Sequence, residues 1–127
     1  MTLRVVAPAD RVPDTHSGAM IRQAAISART TGSEILWMGH VELAPGMRSA
    51  HHHHGESESA IYIISGRARF LVGEHLEHSH DAHAGDFVWV PPHVRHVEMN
   101  LSDDEPVVMV VARSTQEAIV VNLPDPT

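Results

Sequence analysis

Apolar and polar residues alternate along two stretches of this chain with a period of two, the pattern of strands that bury one face. It is clearest over residues 35–43. There Ile35, Trp37, Gly39, Val41 and Leu43 share one face and Leu36, Met38, His40 and Glu42 the other. Residues 60–64 and 67–72 are apolar runs flanking Ser65-Gly66, which predicts a short-turn hairpin. Residues 86–90 read as a compact apolar strand ended by Pro91 and Pro92, since proline has no N–H for a sheet ladder. Over 95–101 the alternation sets His96, Glu98 and Asn100 on one face. Residues 107–112 are wholly apolar, as expected of a central strand buried on both faces, and 118–123 supply a last strand. Residues 20–27 fit a short strand or a helical turn. No helix longer than a turn or two is predicted. Eight or nine short strands with regular turn signals predict an all-β sandwich or barrel. The domain plan is an extended arm over 1–19, one barrel over 20–123 and a tail over 124–127.

The stretch 46–66 carries the chemistry: G-M-R-S-A-H-H-H-H-G-E-S-E-S-A-I-Y-I-I-S-G. His51, His52, His53 and His54 are followed by Glu56 and Glu58, and then by the apolar run. Imidazoles and a carboxylate so close in sequence are ligands for first-row metal ions. A purification-tag remnant would sit at a terminus, and this run lies between strand patterns. A solvated polar loop is the competing reading. Four more histidines, His75, His78, His80 and His83, lie in a segment whose one apolar anchor is Leu76. They read as a solvated strand or loop able to take metal adventitiously. His40, on the more polar face of its strand, reads as a surface or interface residue.

A second stretch, G-D-F-V-W-V-P-P-H-V-R-H-V-E-M-N over 85–100, brings the two into one frame. Together they resemble the two motifs of the cupins. Gly46, His52, His54, Glu58 and Gly66 fall on the first motif; Gly85, Pro91, His96 and Asn100 fall on the second, about 20 residues later. The resemblance covers roughly the middle half of the chain. It implies a double-stranded β-helix, a jelly-roll barrel, holding one divalent transition metal ion (Fe, Mn, Ni, Cu or Zn). The implied ligands are His52, His54, Glu58 and His96, with His51, His53 and His93 as alternates. Two departures bear on that set. His93 replaces the glycine of the second motif, which adds a possible ligand. Counting back from Gly66 lands on Ser59, whereas Glu58 fits only the count forward from His54. Strand neighbours point to opposite faces, so either a local irregularity brings Glu58 inward or histidines alone carry the site. Glu98, sharing a face with His96, is the nominated catalytic base or orienting group; a rim ion pair with Arg95 or Arg113 is its alternative.

Composition narrows the partners. A length of 127 residues suits one domain. No apolar stretch approaches a membrane span, and the first residues lack the apolar run of a signal peptide, so a cytoplasmic location is expected. A net charge of −7 disfavours nucleic acid, whose phosphates need clustered Lys and Arg. The absence of cysteine excludes disulfides and zinc–thiolate sites; the absence of lysine excludes a lysine Schiff base. Three function classes remain. One is a metal-dependent enzyme acting on a small polar molecule, of oxygenase or isomerase/lyase type. The others are a metal-dependent biosynthetic cupin forming N–N bonds on amino acids, which the resemblance implies for some cupins, and a non-catalytic sensor or small-molecule-binding module. Apolar residues on both faces of the 35–43 strand lead to the expectation of a homodimer.

Overall fold

A computed structural model describes residues 2–14, 19–116 and 119–126. Eleven strands are present among them. The first six are β1 (Val12–Pro13), β2 (Met20–Ile26), β3 (Trp37–Leu43), β4 (His52–His53), β5 (Ser59–Ser65) and β6 (Arg67–Val72). The rest are β7 (His78–His83), β8 (Phe87–Val90), β9 (His96–Asn100), β10 (Val107–Arg113) and β11 (Val121–Asn122). A single 3-10 turn, Pro8–Asp10, is the helical structure among the described residues, and no helix there is long and apolar enough to cross a membrane. The undecided segment after residue 19 is the strand β2. Strand β3 begins at Trp37, leaving Ile35 and Leu36 exposed ahead of it. Ala118, where the last strand is expected to begin, lies outside the described residues.

Two antiparallel sheets face each other. One has the order β1-β2-β3-β10-β5-β8 and the other β11-β4-β9-β6-β7. Chain neighbours β5 and β6 therefore lie in different sheets, as in a jelly roll rather than a simple hairpin. Gly66 makes that crossing. Its φ of +92° lies in the left-handed region, and a Cβ there would sit 2.7 Å from the Pro106 carbonyl oxygen.

Inward side chains of both sheets form the core, with Val41, Leu43, Ile63, Val97, Val107 and Met109 fully inaccessible. Burying each contributes about 1.5–3 kcal/mol. Asn100 clamps one end of the barrel. Its amide donates to the carbonyls of Leu43, Ala44 and Glu105 and its Oδ1 accepts the Ser102 N–H. The expectation that β10 is buried on both faces holds for one only. Val107 and Met109 are sealed inside, whereas Val108, Val110 and Ala112 are half-covered on the outer face. The same outer face shows Met38, Tyr62, Phe87 and Trp89 to solvent.

Candidate metal centre

Alternation along β4 and β9 turns His52 and His96 inward, where they are Cα partners across the ladder. His54 follows in the turn after β4. The three rings converge: centroids are 4.3 Å apart for His52–His96, 4.8 Å for His52–His54 and 5.3 Å for His54–His96. One nitrogen of each lies within 4.8 Å of the others. All three Nδ1 atoms meet backbone carbonyls, of Ala50 at 2.7 Å, Ile119 at 2.8 Å and Val94 at 2.9 Å. A carbonyl only accepts, so Nδ1 carries the proton and Nε2 keeps its lone pair. Nε2 of His52 and of His96 is buried with no hydrogen-bond partner among the described residues. Burial, then the adjacent His96 ring, pushes His52 down to about 2, and burial pushes His54 down to about 4. Neutral imidazoles with oriented, unshared lone pairs are the donor set a divalent transition ion takes.

Glu58 is not with them. Strand β5 begins with Ser59 facing inward, 3% exposed, so period two sends Glu58 outward. There its Oε1 accepts the Trp89 Nε1–H at 2.6 Å, while its N–H donates to Ser114 Oγ. No bulge brings its carboxylate inward, and the expected fourth ligand is absent from this geometry. His51 and His53 also point away. His51 Nδ1 donates to the Pro124 carbonyl, and His53 Nδ1 accepts the Gly55 N–H. His93 is exposed, its ring 6.1 Å from that of His53. It holds φ +64°, the left-handed conformation that explains why glycine suits this motif position, and its N–H donates to the Gly55 carbonyl at 2.7 Å.

The carboxylate that does reach the centre is Glu98, 3% exposed, with Oε1 4.0 Å from His96 Nε2 and Oε2 without a hydrogen-bond partner among the described residues. Two buried arginines accompany it, and sequence reasoning missed both as site residues. Arg113 is not at the rim. It is 3% exposed, stacked 3.9 Å over the Trp37 ring, which Gly39 leaves room for. Arg22 comes from the inward face of β2 and feels the charge of Glu98. Both could have been found by extending the inward alternation, Met20-Arg22-Ala24 and Met109-Val111-Arg113.

A cleft of about 550 Å³ opens between β7 and β8, the facing edges of the two sheets, and ends at His96. Phe70, Val72, Ala82, Val88 and Val90 make its walls largely apolar, with Phe87 at the mouth. The histidines 78, 80 and 83 lie on β7, solvated at the edge of the sheet.

A family described as the cupin domain matches residues 39–113, more than half of the chain. The chain belongs to the cupin family. Among solved structures, the polyketide cyclase RemF from Streptomyces resistomycificus superposes with a TM-score of 0.79. It shares 16% identity over 98% of this chain and 90% of that one, a likeness of fold. An oxalate decarboxylase from Bacillus subtilis gives a TM-score of 0.71 at 27% identity, over 88% of this chain and 30% of that one. Work on that enzyme concerns its Mn(II) centres. The oxalate decarboxylase of Lactobacillus farciminis, in a formate complex, gives 0.75 at 22% identity, over 91% of this chain and 34% of that one. This cupin thus spans about a third of either decarboxylase. No curated protein matches it.

Proposed function

We propose that this cupin is a metal-dependent enzyme that holds one divalent transition ion on His52, His54 and His96. It acts on a small molecule bearing a polar group, by oxygenase or by isomerase/lyase chemistry. One observation carries the reading: three inward imidazoles have Nδ1 tied to backbone carbonyls, and the buried Nε2 atoms of His52 and His96 are bare. Leaving such acceptors buried and unmet costs about 1–3 kcal/mol each, and an ion would meet them together. A bound ion supplies Lewis-acid polarisation of a substrate oxygen or, if redox-active, one-electron chemistry.

The chain's own residues do the rest. Three neutral ligands leave the ion's charge uncompensated. Ser59, small and uncharged, stands inward in place of a carboxylate and lines a small hollow beside His54 and His96. Glu98, buried with no partner for Oε2 among the described residues, would accept or return a proton at a ligand held there. The cleft between β7 and β8 supplies the entrance, its walls largely apolar with His80, Asp81 and Asp86 also in its lining. Likeness at 27% identity to a protein named as a decarboxylase supports an enzyme over a binding module.

Elemental analysis of protein purified without a tag or nickel column tests the reading. About one ion per chain is the expected result. Iron with O₂ consumption selects the oxygenase branch, and a redox-silent ion selects the isomerase/lyase branch. A metal-free protein that stays metal-free on titration with Mn(II), Fe(II) and Zn(II) would leave a binding module and overturn the proposal.

A further inference from the structure

The ladders of the first sheet set four inward residues in one row. Arg113 pairs with Trp37 on one side and Ser59 on the other, and Ser59 pairs with Val90. Val90 and His96 both line the inner end of the cleft. The same two residues, with His54, Ser59, Glu98 and Arg113, also line a small hollow of about 10 Å³, room for one water-sized group. Val90 and His96 thus border both spaces, with Ser59 and Arg113 on the side of the hollow.

Arg113 is poised for a partner. Its guanidinium face rests on Trp37, which holds the cation while occupying none of its N–H groups. Nε and Nη2 are buried without a hydrogen bond among the described residues. Two adjacent donors on one planar fork match the two oxygens of a carboxylate. Charge points the same way. The charges of Glu98 and Asp14 act on Arg22, and that of Asp14 on Arg113, so a divalent ion on neutral imidazoles would leave the interior positive. On a chain of net charge −7 that attraction is local.

We infer that Arg113 and Ser59 form the anchor for a carboxylate, and that the ligand is an organic acid whose apolar body lies in the cleft. The charge count rests on the metal reading; the unmet donors of Arg113 and the apolar walls do not. A short dicarboxylate would leave those walls uncovered.

Calorimetry on the full-length, metal-analysed protein tests this with benzoate, its neutral isostere benzamide, and acetate. Benzoate is expected to bind, with benzamide at least about 10-fold weaker, since a charge-assisted hydrogen-bonded pair is worth about 1.5–3 kcal/mol. Acetate should be weaker as well, because it lacks the apolar body that the cleft would cover. Arg113→Gln should weaken benzoate about 10- to 100-fold with metal content unchanged. Ser59→Asp, which places the chain's own carboxylate beside Arg113, should abolish benzoate binding while the thermal midpoint holds or rises. Equal binding of benzoate and benzamide by the wild type overturns the anchor even if Arg113→Gln does not fold. So does undiminished benzoate affinity in a folded Arg113→Gln. If benzoate binds through Arg113 to a protein that takes no metal, the anchor stands and the metal reading falls; a metal-loaded protein indifferent to Arg113 gives the reverse.

Discussion

His52 and His96 face each other across the β4–β9 ladder, ring centroids 4.3 Å apart, and each ties its Nδ1 to the carbonyl two residues upstream. The same local device on two strands thus aims two bare Nε2 atoms at one point. His54 joins them from the following turn by a different tether, the Ile119 carbonyl near the end of the chain.

His96→Ala should lower metal affinity by at least about 10- to 100-fold, the usual loss when even an outer partner of a ligand is removed. His52→Ala and His54→Ala should do the same. His51→Ala, His53→Ala and Glu58→Gln should leave affinity within about 2-fold, because those side chains point away. Titration with a metallochromic competitor reads all six variants. Depletion by His53→Ala and not by His54→Ala would refute the ligand set.

The metal-free protein should lose stability as pH falls from about 6.5. The folded-state values of His52 and His54, about 2 and about 4, lie below the unfolded value near 6.5. The unfolded chain therefore takes up protons that the folded one refuses, and stability falls as pH drops through that window. The slope approaches about 1.4 kcal/mol per pH unit for each such histidine. Urea midpoints between pH 6.5 and 5, above the carboxylate range, measure it. His52→Leu should flatten the dependence, and an unchanged slope in that variant would count against the buried, neutral ring.

His93→Gly should stabilise the fold. At φ +64° a side chain costs on the order of 1 kcal/mol that glycine does not incur. For a chain of this size the midpoint should rise by roughly 3–5 °C. Because His93 is exposed and apart from the three converging rings, metal content should be unchanged. A lower midpoint would show that the side chain contributes more than its backbone costs.

The protein should be a homodimer joined through the outer face of the first sheet. Tyr62 and Phe87 touch there, with centroids 4.8 Å apart; Trp89, Ile64 and Met38 are exposed on the same face. Apolar patches of this kind are usually covered by a two-fold copy. Light scattering should give about twice 13.9 kDa, and Tyr62→Glu should halve it. One chain's mass for the wild type defeats the expectation.

Much of this was legible in the residues themselves. Period-two alternation marked β3 and β9, and apolar runs marked β5, β6, β8 and β10, because both patterns are local properties of the sequence. The resemblance to the cupin motifs brought out His52, His54, Glu58 and His96, with His51, His53 and His93 as alternates, and of these His52, His54 and His96 converge in the fold. What was not legible depended on which strands become neighbours. Glu58 and Ser59 both fitted a count, and the choice between them fell to the β5 register against Val90 and Arg113. With Ser59 fixed inside, Glu58 had to go out to Trp89. Arg113, expected at most at the rim, became interior because β10 lies between β3 and β5, which places the Trp37 ring beneath its guanidinium. The cleft has the same origin, since β7 and β8 are joined by a turn in the chain yet form edges of different sheets. Faces of strands are a local property; the walls of a cavity belong to the pairing.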